Sequence, residues 1–122
     1  MQAIKKSSIT IDSKRTIIRG YANSSDIAEI SLTLLLTNKF PKFQNQIINA
    51  VSSEISLLEL ARTISKRFGG LSIFHNINYD LEAEIYSASP KQFLSLANLF
   101  KKNLMTIEQQ IDETINDINK EL

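Results

Sequence analysis

Cysteine is absent from this chain of 122 residues, and glycine, proline and histidine are scarce. The lack of cysteine excludes disulfide bonds, zinc sites made of thiolates and cysteine nucleophiles. Three glycines leave little material for a phosphate-binding loop or a dinucleotide-binding turn, and neither motif occurs. The single histidine, His75, has no carboxylate at ligand spacing, so we expect neither a metal site nor a cofactor.

Long apolar runs are also absent. The longest, Leu34–Leu36, is far shorter than the roughly 20 apolar residues that cross a bilayer. The start of the sequence, MQAIKKSSITID, contains two lysines but not the apolar segment of a secretory signal. Together with the lack of cysteine, these features predict a cytoplasmic protein that does not associate with membranes.

The composition is otherwise typical of a globular protein, because 43% of the residues are hydrophobic and 22% are charged. The formal net charge of +1 gives no general argument for binding nucleic acid or an anionic membrane. Charge is uneven along the chain, since residues 1–80 carry a net +4 and residues 81–122 a net −3. The length predicts one domain over residues 1–122, with residues 106–122 as a helical extension.

Alternating apolar residues predict four strands. The segments SITID and TIIRGYA indicate two strands, at 8–12 and 16–22, that are joined by a tight polar turn. The segments LSIFHNI and LEAEIYS, which begin at Leu71 and Leu81, indicate a second pair joined by a turn at NYD. We therefore expect two β-hairpins that form a small antiparallel sheet.

Apolar residues at helical spacing predict the helices. Three of them precede residue 70, at about 26–38, 42–52 and 57–68, and the last two could instead be one kinked helix. Asp26 and Ser56 open the first and third, because each is followed three residues later by a glutamate. Gly69 and Gly70 end the third helix. The motif SASPKQF, with Ser89 as N-cap, opens a long helix that runs from residue 90 almost to the end.

These elements define an α+β fold, in which helices pack on the antiparallel sheet and a long helix ends the chain. The two halves of the chain also share a pattern. The segments RGYANSSDIAEISL and EIYSASPKQFLSL each place a tyrosine, Tyr21 or Tyr86, before a serine, Ser24 or Ser89, that opens a helix. We interpret this repeat as a ββα duplication, although the order of strand, serine cap and helix is also common by chance.

The segment SKRFGGLS has the order of a helix-turn-helix joint: a helix, a glycine turn and a second apolar segment. A recognition helix rich in polar and basic residues should then follow. The actual continuation, LSIFHNINYD, contains no basic residue and has the composition of a strand. We therefore expect a capped helix that leads into a strand. The basic residues that could still bind phosphates, some of them beside the phenylalanines of KFPKF, are Lys39, Lys42, Arg62, Lys66 and Arg67.

The last helix carries the most informative pattern. Its apolar residues recur at steps of three and four, which is close to the heptad spacing of a coiled coil. From Glu108 onward the residues between them are almost all polar, so this apolar stripe needs a cover. The cover is either the protein's own helices or another chain. The candidate partner interface consists of Leu104, Ile107, Ile111, Ile115, Ile118 and Leu122.

Catalysis is not indicated by the sequence. Glu82 and Glu84 share one face of a strand, a layout that paired-carboxylate hydrolysis uses, but they alternate with apolar residues as an exposed strand face does. We therefore expect a non-enzymatic protein that forms a homo-oligomer, or docks as a subunit of a larger assembly, through its last helix. The alternative is a DNA- or RNA-binding protein that uses the basic residues.

Overall fold

The structure is a computed structural model that describes residues 8–37, 40–43 and 45–121. Strands and helices are mixed along the chain, which confirms the predicted α+β class. The final helix is long, as predicted. The elements, in chain order, are β1 (Ser8–Ile11), β2 (Ile17–Tyr21), α1 (Ser24–Leu36), α2 (Phe40–Phe43), β3 (Ser53–Ser56), α3 (Leu57–Arg67), β4 (Ser72–His75), β5 (Glu84–Tyr86), α4 (Lys91–Leu99) and α5 (Ile107–Glu121).

The strands form two small sheets that are not the predicted hairpins. Strand β1 pairs in parallel with β4, and the three-stranded sheet has the order β3-β2-β5 with β2 and β5 parallel. The expectation that β1 pairs with β2, and β4 with β5, is therefore wrong. The physical reason lies in the turn between β1 and β2, whose carbonyl groups accept hydrogen bonds from the second half of the chain. The Asn78 N–H donates to Lys14 O at 2.7 Å and the Glu84 N–H to Thr16 O at 2.9 Å.

Corresponding elements of the predicted ββα duplication are neighbours. Strand β1 pairs with its counterpart β4, and β2 pairs with its counterpart β5. Helices α1 and α4, which follow the two strand pairs, contribute buried residues to the same hydrophobic cluster. Because each of these strands pairs with its counterpart in the other half, the topology favours the duplication, which stays a prediction.

The chain divides into two compact units. Unit 1 comprises Met1–Arg19 and Glu54–Ser87, and unit 2 comprises Gly20–Ser53 and Ala88–Leu122. Both units have a hydrophobic cluster of their own. In unit 1 its buried residues are Ile11, Leu58 and Ala61. In unit 2 they are Ile30, Phe93, Leu96 and Ala97. The single domain predicted from chain length stays a prediction.

Helix α3 begins and ends where the sequence indicates. The Ser56 hydroxyl accepts a hydrogen bond from the Glu59 N–H at 3.1 Å, which confirms the predicted cap. At the other end the Gly70 N–H donates to Ser65 O at 2.9 Å. Gly69 and Gly70 have φ angles of +77° and +95°, in the region that glycine adopts without steric cost. Strand β4 follows, so no recognition helix stands after the glycines.

The predicted helix at 42–52 is wrong. Among the residues described between α1 and β3, only α2, a single turn at Phe40–Phe43, is helical. Asn45 has a φ of +64°, which takes the backbone out of the helical conformation. Farther on, the Ser52 N–H and hydroxyl both donate to Tyr21 O, at 2.9 and 3.1 Å, so this stretch pairs with the end of β2. A partner distant in sequence therefore overrides the local helical pattern.

The long helix predicted from residue 90 to the end is interrupted. Helix α4 ends at Leu99 and α5 begins at Ile107, and Lys101 between them has a φ of +54°. A reciprocal cap opens α5, because the Gln109 N–H donates to the Thr106 hydroxyl at 3.2 Å and the Thr106 N–H to Gln109 Oε1 at 2.9 Å. Pro90, rather than Ser89, occupies the N-cap position of α4.

The beginning of α1 also differs from the prediction. Its N-cap is Asn23, whose side-chain oxygen accepts hydrogen bonds from the Ser25 and Asp26 N–H groups at 2.9 and 3.3 Å. Asp26, which was expected to be the cap, therefore lies inside the first turn and is free to interact elsewhere. None of the helices in the described ranges is long and apolar enough to cross a membrane.

Candidate interaction surfaces

Asp26 is the most deeply buried polar side chain in the described part of unit 2, with 2% of its surface exposed. Its Oδ2 accepts a hydrogen bond from the Met105 N–H at 2.8 Å, and its Oδ1 lies 3.6 Å from Lys102 Nζ. Lys102 also forms an ion pair with Glu29, one helical turn along α1. These contacts hold the segment between α4 and α5 against the start of α1, and they explain where the predicted long helix breaks.

The carboxylates of α1 change the acidity of Lys102. The hydrogen bond with Glu29 raises the pKa of Lys102 above its ordinary value of 10.5, and the nearby charges of Glu29 and Asp26 act in the same direction. Partial removal from water lowers this pKa but does not outweigh these contacts. The ammonium group therefore stays charged over the whole neutral range.

Loss of the Lys102 charge should destabilise the protein at high pH. Because the pKa of Lys102 is higher in the folded chain, its contribution to stability is complete below about pH 10.5 and disappears as pH rises through the folded value. We expect the urea midpoint of Lys102→Gln to lie below that of the wild type at about pH 9. Above pH 11 the two midpoints should lie closer together, because the wild-type lysine has lost its charge. A constant difference would contradict this assignment.

Helix α5 is attached to the rest of unit 2 by its polar side. The Asn23 amide donates a hydrogen bond to Glu113 Oε2 at 2.5 Å. At 3.6 residues per turn, Glu113 lies about 155° around the helix from the centre of the isoleucine stripe. Helix α5 is thus fixed to the N-cap residue of α1 through a polar side chain.

The isoleucine face of α5, which we define as Ile107, Ile111, Ile115 and Ile118, is only half-buried. None of the residues of α5 is buried. Within the described part of the chain, none of these isoleucines packs against the hydrophobic cluster of either unit. Of the other two residues of the predicted interface, Leu104 packs against the cluster of unit 2 and Leu122 lies outside the described residues.

Helix α5 is strongly acidic. It carries five carboxylates and one lysine, a net charge of −4. Glu108 and Glu121 lie nearest to the isoleucine face, each within about 75° of its centre. Lys120 is paired with Asp117 at 3.3 Å. The isoleucine face is therefore bordered by negative charge.

A groove in unit 2 brings together side chains that are far apart in the sequence. Its volume is about 450 Å³, and Phe43, Ile48, Leu96 and Leu99 supply its apolar part. The polar residues of its lining are Lys42, Gln46, Lys91, Gln92 and Ser95. Both lysines are exposed, and Lys42 Nζ lies 5.9 Å from the centre of the Phe43 ring. The lining contains two lysines and no carboxylate, so the groove is positively charged.

Helix α1 exposes a second apolar surface, which the sequence analysis did not identify. Leu32, Leu35 and Leu36 are 58%, 60% and 84% exposed. They lie three and four residues apart and share the face of α1 opposite the buried Ile30. Helix α1 is therefore apolar on both sides.

The structure distributes the predicted nucleic-acid-binding residues over both units. Arg62, Lys66 and Arg67 lie on the exposed side of α3 in unit 1, while Lys42 belongs to the groove of unit 2. Lys39 lies outside the described residues. In unit 1, Arg62 lines a cleft of about 200 Å³ together with Arg15, Glu59 and the exposed Tyr79. Arg15 and Tyr79 were not among the nucleic-acid-binding residues predicted from the sequence.

Glu84, which was considered for catalysis, and His75, which was considered as a metal ligand, have other contacts. Glu84 accepts a hydrogen bond from the Tyr86 hydroxyl at 2.7 Å and lies 3.6 Å from Arg15. This hydrogen bond is the main reason that the pKa of Tyr86 is raised. His75 is exposed, and its Nδ1 accepts a hydrogen bond from the Ile77 N–H at 3.4 Å. Across residues 8–37, 40–43 and 45–121, no three acidic or histidine side chains are arranged to hold a metal ion.

Comparison with known proteins finds neither a family model that matches this chain nor a curated protein that is similar to it. A proposal for its function therefore rests on the surfaces described above. Two of them have opposite chemistry: the acidic, isoleucine-bearing helix α5 and the basic, apolar groove of unit 2.

Proposed function

We propose that this chain is a non-enzymatic interaction protein that associates with a protein partner through the isoleucine face of α5. The observation that carries the proposal is the half-burial of all four isoleucines on a helix that has no buried residue. An amphipathic helix normally buries its apolar face in a core. Here neither described hydrophobic cluster includes these side chains, so a partner is the natural cover.

The geometry of α5 suits this role. Asp26 fixes the segment that precedes the helix, and Glu113 attaches the helix by its polar side. The isoleucine face is thus presented by a positioned helix, which reduces the entropy lost on binding. Covering the exposed part of each isoleucine should contribute about 1 kcal/mol. Four such side chains would contribute about 4 kcal/mol to the gross free energy of each contact, and the surrounding charges would add to it.

Capture from cells that produce the protein tests this proposal. Two differently tagged copies of the full chain are expressed together, and each is recovered with the proteins bound to it. We expect the wild type to retain a second copy or another protein, and we expect Ile111→Asp to lose it. An identical set of bound proteins for both forms would contradict the proposal.

A second candidate function is binding of single-stranded nucleic acid by unit 1. The observation that favours it is the cleft where Arg15 and Arg62 stand beside the exposed ring of Tyr79, because bases stack on aromatic rings while arginines contact phosphates. Glu59 also lines this cleft and opposes phosphate binding.

Charge reversal on α3 tests this second function. If unit 1 binds nucleic acid, the double variant Arg62→Glu and Lys66→Glu should lower the affinity for a fluorescent oligonucleotide by more than tenfold, because phosphate contacts dominate such binding. Lys120→Glu on α5 is the matched control and should change little. Anisotropy that stays at the value of the free oligonucleotide for the wild type at low salt would exclude the function.

A further inference from the structure

The groove of unit 2 and the isoleucine face of α5 are complementary in charge and in polarity. The groove has Lys42 and Lys91 beside an apolar lining, and the isoleucine face of α5 is bordered by Glu108 and Glu121 on a helix of net charge −4. Opposite charges around an apolar centre are the arrangement that steers and orients protein partners. The groove has a volume of about 450 Å³, and Phe43, Ile48, Leu96 and Leu99 supply its apolar surface.

The groove does not contain the chain's own α5. Its lining residues come from α2, from α4 and from the segment after α2, and none belongs to α5. Helix α5 itself is attached to the start of α1 through Asn23. Each chain therefore offers one acidic apolar helix and one basic apolar groove that are not matched with each other in the described residues.

We propose that α5 of one chain docks in the Lys42–Lys91 groove of a second copy of the same chain. The inference rests on the proposed function and names the partner and its receiving surface. Docking is reciprocal when α5 of each copy lies in the groove of the other. The two contacts are then identical, and the assembly closes as a two-fold dimer. A symmetric pairing of α5 with α5 would instead bring together two helices of net charge −4.

Charge exchange between the two surfaces tests the proposal. Variant G reverses the groove with Lys42→Glu and Lys91→Glu, and variant H reverses the helix with Glu108→Lys and Glu121→Lys. All four residues are exposed, so both variants should keep the fold, which circular dichroism checks. In a solution of one variant alone, the helix and the groove carry charges of the same sign and repel each other. When the two are mixed, every helix faces a groove of opposite charge.

We expect G and H alone to associate at least tenfold more weakly than the wild type, and an equimolar mixture to restore association to within a few-fold, as measured by sedimentation. If G associates as well as the wild type while Ile115→Asp does not, the proposed function stands and the groove is not the receiving surface. If the equimolar mixture of G and H associates as weakly as either variant alone, α5 does not dock in this groove. If neither charge reversal nor Ile115→Asp changes association, both the inference and the proposed function fail.

Discussion

Replacing Ile115 with aspartate should weaken association of this protein by more than 100-fold. Ile115 is the third of the four isoleucines along α5 and is half-buried in the isolated chain. Covering its remaining surface contributes about 1 kcal/mol, and removing a carboxylate from water at the same position costs at least about 2 kcal/mol. Their sum of about 3 kcal/mol corresponds to a factor of more than 100 in the dissociation constant.

Asn116→Asp is the matched control for Ile115→Asp. It adds the same charge at the neighbouring position, but Asn116 is exposed and lies about 145° around the helix from the centre of the isoleucine face. We expect its dissociation constant to stay within a few-fold of the wild type. Sedimentation of the three proteins over a range of concentrations separates the effect of the face from that of charge. Equal weakening by both substitutions would show that charge alone is responsible.

Replacing Asp26 with alanine should lower the free energy of unfolding by about 3 kcal/mol. The side chain is 2% exposed, accepts the Met105 N–H and lies beside Lys102. Its removal leaves a backbone donor without its partner and an ammonium group with one counter-charge fewer. Because the same contacts position the start of α5, the Met105 amide should also exchange faster with solvent.

Asp117→Ala is the control for Asp26→Ala. Asp117 is exposed and pairs with Lys120 three residues later on the same helix, a contact that contributes about 0.5 kcal/mol or less. Urea unfolding followed by circular dichroism should show a large shift for Asp26→Ala and almost none for Asp117→Ala. Similar small shifts for both would mean that Asp26 does not anchor the segment before α5.

Local signals predicted some elements closely. Helix α3 was expected at 57–68 and is found at Leu57–Arg67, because its cap at Ser56, its apolar stripe and its terminal glycines all lie within one short segment. The sequence also contained a local sign of the break before α5. Thr106 and Gln109 have the spacing of a capping box, and the structure shows both of its hydrogen bonds.

Non-local contacts account for the rest. The pairing of β1 with β4, rather than with β2, depends on hydrogen bonds between the first turn and residues around Asn78. The role of Asp26 depends on Met105, which is 79 positions away in the sequence. Such partners leave no periodic pattern in the sequence.

The same distinction applies to the candidate site. The isoleucine face of α5 was visible from its spacing of three and four residues, because every member lies on one helix. The basic groove was not visible, since Lys42 and Lys91 come from opposite halves of the chain and meet only after folding. Likewise, the exposed leucines of α1 could not be told from core residues by their type alone.

The central claim is that α5 joins this chain to a partner, and that the partner is a second copy. Sedimentation equilibrium of the unmodified, full-length protein tests it most directly. The chain has a mass of 13.8 kDa, and the account predicts that the apparent mass rises with concentration toward twice that value. It also predicts that added salt lowers the apparent mass, because opposite charges surround the contact. A mass that stays at 13.8 kDa at every concentration would contradict the account.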